Sequence, residues 1–170
     1  NGGAVFISRT LTTIENCRFL GNQVEQEGGA LFILFSPSSV MATNCAFVGN
    51  TANNGGAIEL WDDTELIITN CAFTENVATT SGGAIAAQSW DDTVDNSIFW
   101  ENSDASGSDA SAQITFSGFG GILMRNTLYD GGWFGAGSNN LDANPLFADP
   151  DGADDTLGTA DDDVRLTVGS

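Results

Sequence analysis

Seven aspartates crowd the last part of the chain: Asp149, Asp151, Asp154, Asp155, Asp161, Asp162 and Asp163. Carboxylate oxygens are the ligands that Ca²⁺ prefers, about six to eight at a time. Alternating Asp around a glycine-permitted turn, as in Asp149-Pro150-Asp151-Gly152-Ala153-Asp154-Asp155, resembles the first half of calcium loops. Asp151 and Asp154 are the first ligands expected, Asp149 and Asp155 the next, with Asp161 and Asp163 completing the set. The EF-hand spacing is not met, because no Asp-x-Asp-x-Asp-Gly and no closing Glu occur. The alternative is a solvated acidic linker, which would repel itself without a counter-ion.

A second acidic motif occurs twice, as Trp61-Asp62-Asp63-Thr64 and Trp90-Asp91-Asp92-Thr93. If the two copies stack at strand spacing, acid meets acid at about 5 Å, so they must splay into water or share a cation. Exposed Trp beside acids also suits a sugar ring. The plainer alternative is a shared turn, with Trp closing the edge of the core and the aspartates solvated. Catalysis by these carboxylates is weakly supported. Inverting glycosidases hold two carboxyls about 6.5–9.5 Å apart around a water. A lyase would want Ca²⁺ with an Arg or Lys base, and only Arg125 and Arg165 fall near the acidic end.

Composition narrows the classes further. The chain has 23 acidic against four basic residues, a net charge of −19, and neither lysine nor histidine. Such a surface repels nucleic-acid phosphate and anionic lipid, and attracts divalent cations. No stretch of about 18 apolar residues exists to insert into a membrane. Cys17, Cys45 and Cys71 cannot all pair with one another, so disulfides do not organise the fold.

What positions these residues is a repeat. Gly-Gly-Ala-aliphatic occurs at Gly2–Val5, Gly28–Leu31, Gly55–Ile58 and Gly82–Ile85. In phase with it runs Asn-Cys-x-Phe-x-x-Asn: Asn16-Cys17-Arg18-Phe19 with Asn22, Asn44-Cys45-Ala46-Phe47 with Asn50, and Asn70-Cys71-Ala72-Phe73 with Asn76. Asn96-Ser97-Ile98-Phe99 with Asn102 replaces Cys by Ser, and Asn126-Thr127-Leu128-Tyr129 is a degenerate copy. Segments between the motifs are short and β-rich, with Gly, Asn, Ser and Asp clusters between them. Helical periodicity is lacking, and about 27 residues is too short for a propeller blade.

The period fits one coil of a β-solenoid, each strand pairing in parallel with its counterpart one coil away. The expected fold is an all-β right-handed parallel β-helix of about five coils. Residues 1–148 form the coils, 149–163 the acidic loop, and 164–170 the start of a further strand or coil. Stacking then gives ladders. Ile14, Ala42, Ile68, Val94 and Met124 form an inward aliphatic row, and Phe19, Phe47, Phe73 and Phe99 an aromatic column. Asn16, Asn44, Asn70 and Asn96 mark a corner, because Asn tolerates left-handed backbone and can bond along the stack. Cys17, Cys45 and Cys71 make a small, buried and unreactive ladder.

Both motifs resemble the defining repeats of the polymorphic outer membrane protein family, a pattern shared by many bacterial β-helix surface proteins. The resemblance is strong over residues 1–103 and weak over 104–148. It implies a secreted or surface-displayed β-helix, associated with adhesion. Asn144–Ser170 is similar to the end of the helix ahead of a sorting region. The expected function is a non-catalytic stalk, fibre or adhesin segment, extracellular or on the cell surface. The rival is a carbohydrate-active β-helix enzyme, a polysaccharide lyase or glycoside hydrolase. Asn1-Gly2-Gly3-Ala4 is already repeat sequence, so the first coil is expected to need cover. Flanking coils of a longer chain, or another copy stacked head to tail, would supply it. Other expected partners are carbohydrate or another cell surface.

Overall fold

A computed structural model of the chain describes residues 3–35, 38–62, 64–88, 91–118 and 120–167. Three parallel sheets run along one axis. The first comprises β1 (Val5–Ser8), β4 (Leu31–Leu34), β8 (Ile58–Leu60), β12 (Ile85–Ala87) and β15 (Ile114–Phe116). The second comprises β2 (Leu11–Glu15), β5 (Ser39–Thr43), β9 (Glu65–Thr69), β13 (Asp91–Asp95), β16 (Gly121–Arg125) and β18 (Gly137–Ser138). The third holds β3 (Arg18–Leu20), β6 (Ala46–Val48), β10 (Ala72–Thr74), β14 (Ile98–Trp100) and β17 (Leu128–Tyr129). A shorter pair, β7 (Thr51–Asn54) and β11 (Val77–Ser81), lies in the long turn that precedes the glycine motif.

The repeat sets the register. Val5, Leu31, Ile58, Ile85 and Ile114 are successive partners in the first sheet, and Phe19, Phe47, Phe73 and Phe99 in the third. Alternation within each strand then sends Leu31, Ile33, Ile58, Leu60, Ile68 and Met124 inward, where all are buried. The rings of Phe47, Phe73 and Phe99 stack at 4.5 and 4.6 Å within 4° of parallel, and Phe19 adds to the end at 4.9 Å. That spacing is the strand spacing, so the backbone ladder and the ring column reinforce each other. Tyr129 and then Trp133, edge-on at 5.3 Å, close the column.

Two asparagine ladders hold the corners of the third sheet. At the outer one, Asn16, Asn44, Asn70, Asn96 and Asn126 have φ of 49–55°. Asn44, Asn70 and Asn96 each donate Nδ2–H to Oδ1 of the Asn one coil back, whereas Asn126 donates to Asp95. The inner ladder, Asn22-Asn50-Asn76-Asn102, runs forward. Each Oδ1 beyond Asn22 accepts the backbone N–H and Nδ2–H of the preceding Asn. Gln113, on the single helical turn α1 (Ala110–Gln113), supplies the last acceptor to Asn102.

The glycine pair has two separate reasons. Gly28, Gly55 and Gly82 have positive φ, while a Cβ on Gly29 or Gly56 would lie 2.0–2.1 Å from the carbonyl oxygen of the next coil's glycine.

The C-terminal segment, expected to begin a further strand or coil, begins a strand, β20 (Asp163–Leu166). It pairs antiparallel with β19 (Phe147–Asp149) and adds no coil. The expected range runs on through Val168 to Ser170, which lie outside the described residues. The hairpin folds back as a strap toward the first coils. Gly158 rests on Gly21 and Gly49, where any Cβ would crowd the strap backbone. The Arg18 guanidinium donates to the carbonyls of Ala160 and Asp162. Pairing with an adjacent strand of the same strap satisfies β20 without a new coil, and the glycine seats bring it alongside the helix.

Candidate functional site

Glu59 lies where the outward positions of the first sheet are otherwise Phe6, Phe32, Ala86 and Thr115, its register partners up and down the axis. It is only 3% exposed. The turn before the glycine motif passes over it, close enough that a Cβ on Gly55 would sit 2.9 Å from Glu59 Cβ. Trp61, two residues on along the same face, donates Nε1–H to Glu59 Oε1 at 2.6 Å. The Trp61 ring also meets the Phe32 ring edge-on at 6.1 Å and 89°. Glu59 Oε2 has no hydrogen-bond partner. Burial pushes the Glu59 carboxyl up to about 7. The Trp61 hydrogen bond opposes this, and the charge of Glu27 adds to it. Around the carboxyl a cavity of about 100 Å³ is lined by Asn54, Trp61, Ser81, Gln88, Thr115 and Ser117.

The two Trp-Asp-Asp-Thr motifs do not stack. They are 29 residues apart, whereas Leu60 pairs with Ala87, 27 residues on, and Ile68 with Val94, 26 residues on. Trp61 therefore adjoins Gln88, whose N–H bonds to the Leu60 carbonyl. Asp92 is carried one coil beyond Leu66, buries its side chain, and accepts the Leu66 N–H at 2.9 Å. Asp62 and Asp91 are exposed, and Asp63 and Trp90 lie outside the described residues. Of the two alternatives for stacked acids, splaying into water or sharing a cation, neither is called for at a register that does not pair the motifs.

The acidic segment divides its carboxylates among different tasks. Asp154 accepts the Thr156 N–H and Asp161 the Asp154 N–H, with a Thr159 hydroxyl holding Asp161 below the usual carboxylate range. Asp162, buried, accepts the N–H groups of Gly158 and Thr159. Arg165 holds Asp163 down at about 2. Asp149 is raised, by desolvation first and then by Asp151, Asp155 and Asp163. Of the six expected ligands, Asp149, Asp151 and Asp155 thus share one local field, while Asp154, Asp161 and Asp163 answer donors of the strap itself. Among the described residues no group of three His, Cys, Asp or Glu side chains converges to hold a metal ion. The basic residue that reaches this loop from the coils is Arg18, whereas Arg125 lies on β16 of the second sheet.

A family described as right handed beta helix region matches residues 2–148. The chain belongs to the right-handed β-helix family. Comparison with curated proteins and with solved structures gave no significant match. In this β-helix the three cysteines are free thiols on one corner. Each donates to the carbonyl two residues back, as Ser97 and Thr127 do with their hydroxyls. The Cys71 sulfur and the Ser97 and Thr127 oxygens in turn accept the backbone N–H of the preceding coil. Small donor-acceptors are thus interchangeable along that ladder. Burial pushes the Cys71 thiol up to about 12 and raises Cys45 as well.

Glu59 is not among the residues that the sequence motifs single out. The signal was present, since Gly-Gly-Ala-Ile is followed by Glu where other copies of the β-helix repeat carry Phe or Ala. Asn50, Asn76 and Asn102 are visible as motif positions, and the fold buries all three completely.

Proposed function

We propose that this β-helix is a non-catalytic structural and adhesive segment of a secreted or surface-displayed bacterial protein, of the kind found in polymorphic outer membrane proteins. The observation that carries this reading is axial continuity. The Phe column, both Asn ladders and the Cys-Ser-Thr ladder run from coil to coil along one corner region. Bonds of that kind resist bending and shear between coils, which suits a stalk presented at a distance. The charge of −19 favours cationic or neutral partners over nucleic acid and anionic membrane. Flanking coils or a second copy would extend the same ladders from Asn22, and the acidic segment 149–163 would take Ca²⁺ as a structural ion by drawing its carboxylates together.

The rival from another class is a carbohydrate-active β-helix enzyme, although Glu59, buried beside a cavity of about 100 Å³, is too enclosed to meet a sugar ring. Incubation with a panel of bacterial and plant polysaccharides separates the two. The structural reading expects retention on whole cells or immobilised glycans without new reducing or unsaturated ends. Turnover of any of these polysaccharides would overturn it.

A further inference from the structure

Three carboxylates are buried among the described residues: Glu59, Asp92 and Asp162. The protein provides for two of them. Asp92 accepts the Leu66 N–H, and Asp162 accepts two backbone N–H groups and the Thr159 hydroxyl. Glu59 differs, because its Oε2 is buried without a hydrogen-bond partner while the residue lines a cavity. A buried polar atom without a partner is costly, and its persistence at a cavity points to a ligand that completes it.

We propose that the Glu59 pocket binds a primary ammonium group carried on an unbranched aliphatic stem, as in a lysine side chain or a diaminoalkane. An ammonium brings three donors and no acceptor. One donor would complete the Glu59 carboxylate, and Asn54, Ser81, Gln88, Thr115 and Ser117, which line the same cavity, carry side-chain oxygens for the remainder. Charge points the same way. Glu27 is the charged group among the described residues that acts on Glu59 most, and it has the same sign. The whole chain carries −19 and has no lysine of its own to fill the pocket. Size limits the ligand, because about 100 Å³ is well below the roughly 300 Å³ at which drug-sized ligands begin to fit. A narrow stem passes; a sugar ring does not. Ala86 and Ala87, with the Trp61 ring, give the stem apolar contact. This inference goes beyond the surface role proposed above and does not rest on it, because it concerns only what the pocket admits.

Ammonium binding must draw the carboxyl into its ionised form, which ties affinity to pH. Between pH 6 and pH 8 a carboxyl titrating near 7 goes from about one-tenth to about nine-tenths ionised, so affinity should rise about tenfold. Calorimetry with n-butylammonium chloride in 0.15 M NaCl at both pH values reads this directly. Wild type should show the tenfold change and release a proton at pH 6, seen as heat that depends on the buffer. Glu59→Gln, which keeps the Trp61 hydrogen bond, should lose both binding and pH dependence, while Glu65→Gln on the exposed face should keep them. Nα-acetyl-lysine methylamide and 1,4-diaminobutane should both bind, and the tighter one identifies the source of the group. The proposal is overturned if 1-butanol or glucosamine binds as well as butylammonium, if Glu59→Gln binds unchanged, or if wild type shows no heat at pH 8 up to tens of millimolar. The two-pH comparison on wild type decides the matter even if the variant does not fold.

Discussion

Replacing Asn76 by alanine tests the idea that the inner asparagine ladder is a principal source of axial cohesion. Asn76 is fully buried, and its side chain makes four hydrogen bonds. Nδ2–H donates to the Phe47 carbonyl at 2.9 Å and to Asn102 Oδ1 at 2.8 Å. Oδ1 accepts from Asn50 N at 3.0 Å and from Asn50 Nδ2 at 2.9 Å. A net contribution of about 1 kcal/mol per bond gives roughly 4 kcal/mol, and the buried Asn50 N–H left without an acceptor adds to that. Asn22, at the half-buried end of the ladder, donates one side-chain bond, to Asn50 Oδ1, so Asn22→Ala should cost only about 1 kcal/mol. Asn76→Asp keeps both acceptor bonds but turns an oxygen toward the Phe47 carbonyl and Asn102 Oδ1. It should destabilise more than alanine at neutral pH and recover on acidification, since burial raises the pKa of the introduced carboxyl. Urea unfolding followed by circular dichroism measures all three, and hydrogen exchange shows whether loss is centred on the second and third coils. Equal costs at Asn22 and Asn76, or a cost below about 1 kcal/mol at Asn76, would refute the reasoning.

Phe47→Ala should cost about 3–5 kcal/mol and Phe19→Ala clearly less, because Phe19 stacks on one side only. Glu59 contributes most to stability below its unfolded pKa of about 4.5, and that contribution is lost as pH rises through about 7. Glu59→Gln should therefore remove a decline in stability between those values and raise the melting temperature at pH 8; a lower melting temperature at pH 8 would contradict it. Cys17 should react first with a thiol reagent under native conditions, and Cys71 only on unfolding, which mass spectrometry of the labelled peptides checks. If the acidic segment 149–163 takes Ca²⁺, a chelator should lower the melting temperature and added calcium restore it. No shift at millimolar calcium returns the segment to a strap held by its own hydrogen bonds.

Most of the β-helix was legible because its information is periodic. Once Gly-Gly-Ala-aliphatic and Asn-Cys-x-Phe-x-x-Asn recur in phase, parallel pairing follows. The repeat then places Leu31 over Ile58 and Phe47 over Phe73 without knowledge of any loop. Corner asparagines are likewise local, since positive φ at Asn16 or Asn70 is a property of one residue in one turn.

What the tertiary structure decided lies wherever the period breaks. A slip of two residues between Trp61 and Trp90 separates motifs that look identical in sequence, because register is set by the strands on either side and not by the motif. Glu59 is outward on its strand by alternation, and only the turn passing over it makes the position buried. The strap is the same case at longer range. Val164-Arg165-Leu166 alternates like any strand, and nothing local says whether its partner is the next coil or Phe147–Asp149. Gly21, Gly49 and Arg18, more than a hundred residues away, receive the strap against the first coils. Contacts between segments that share no repeat are written in shape and charge complementarity, which a single strand of sequence does not display.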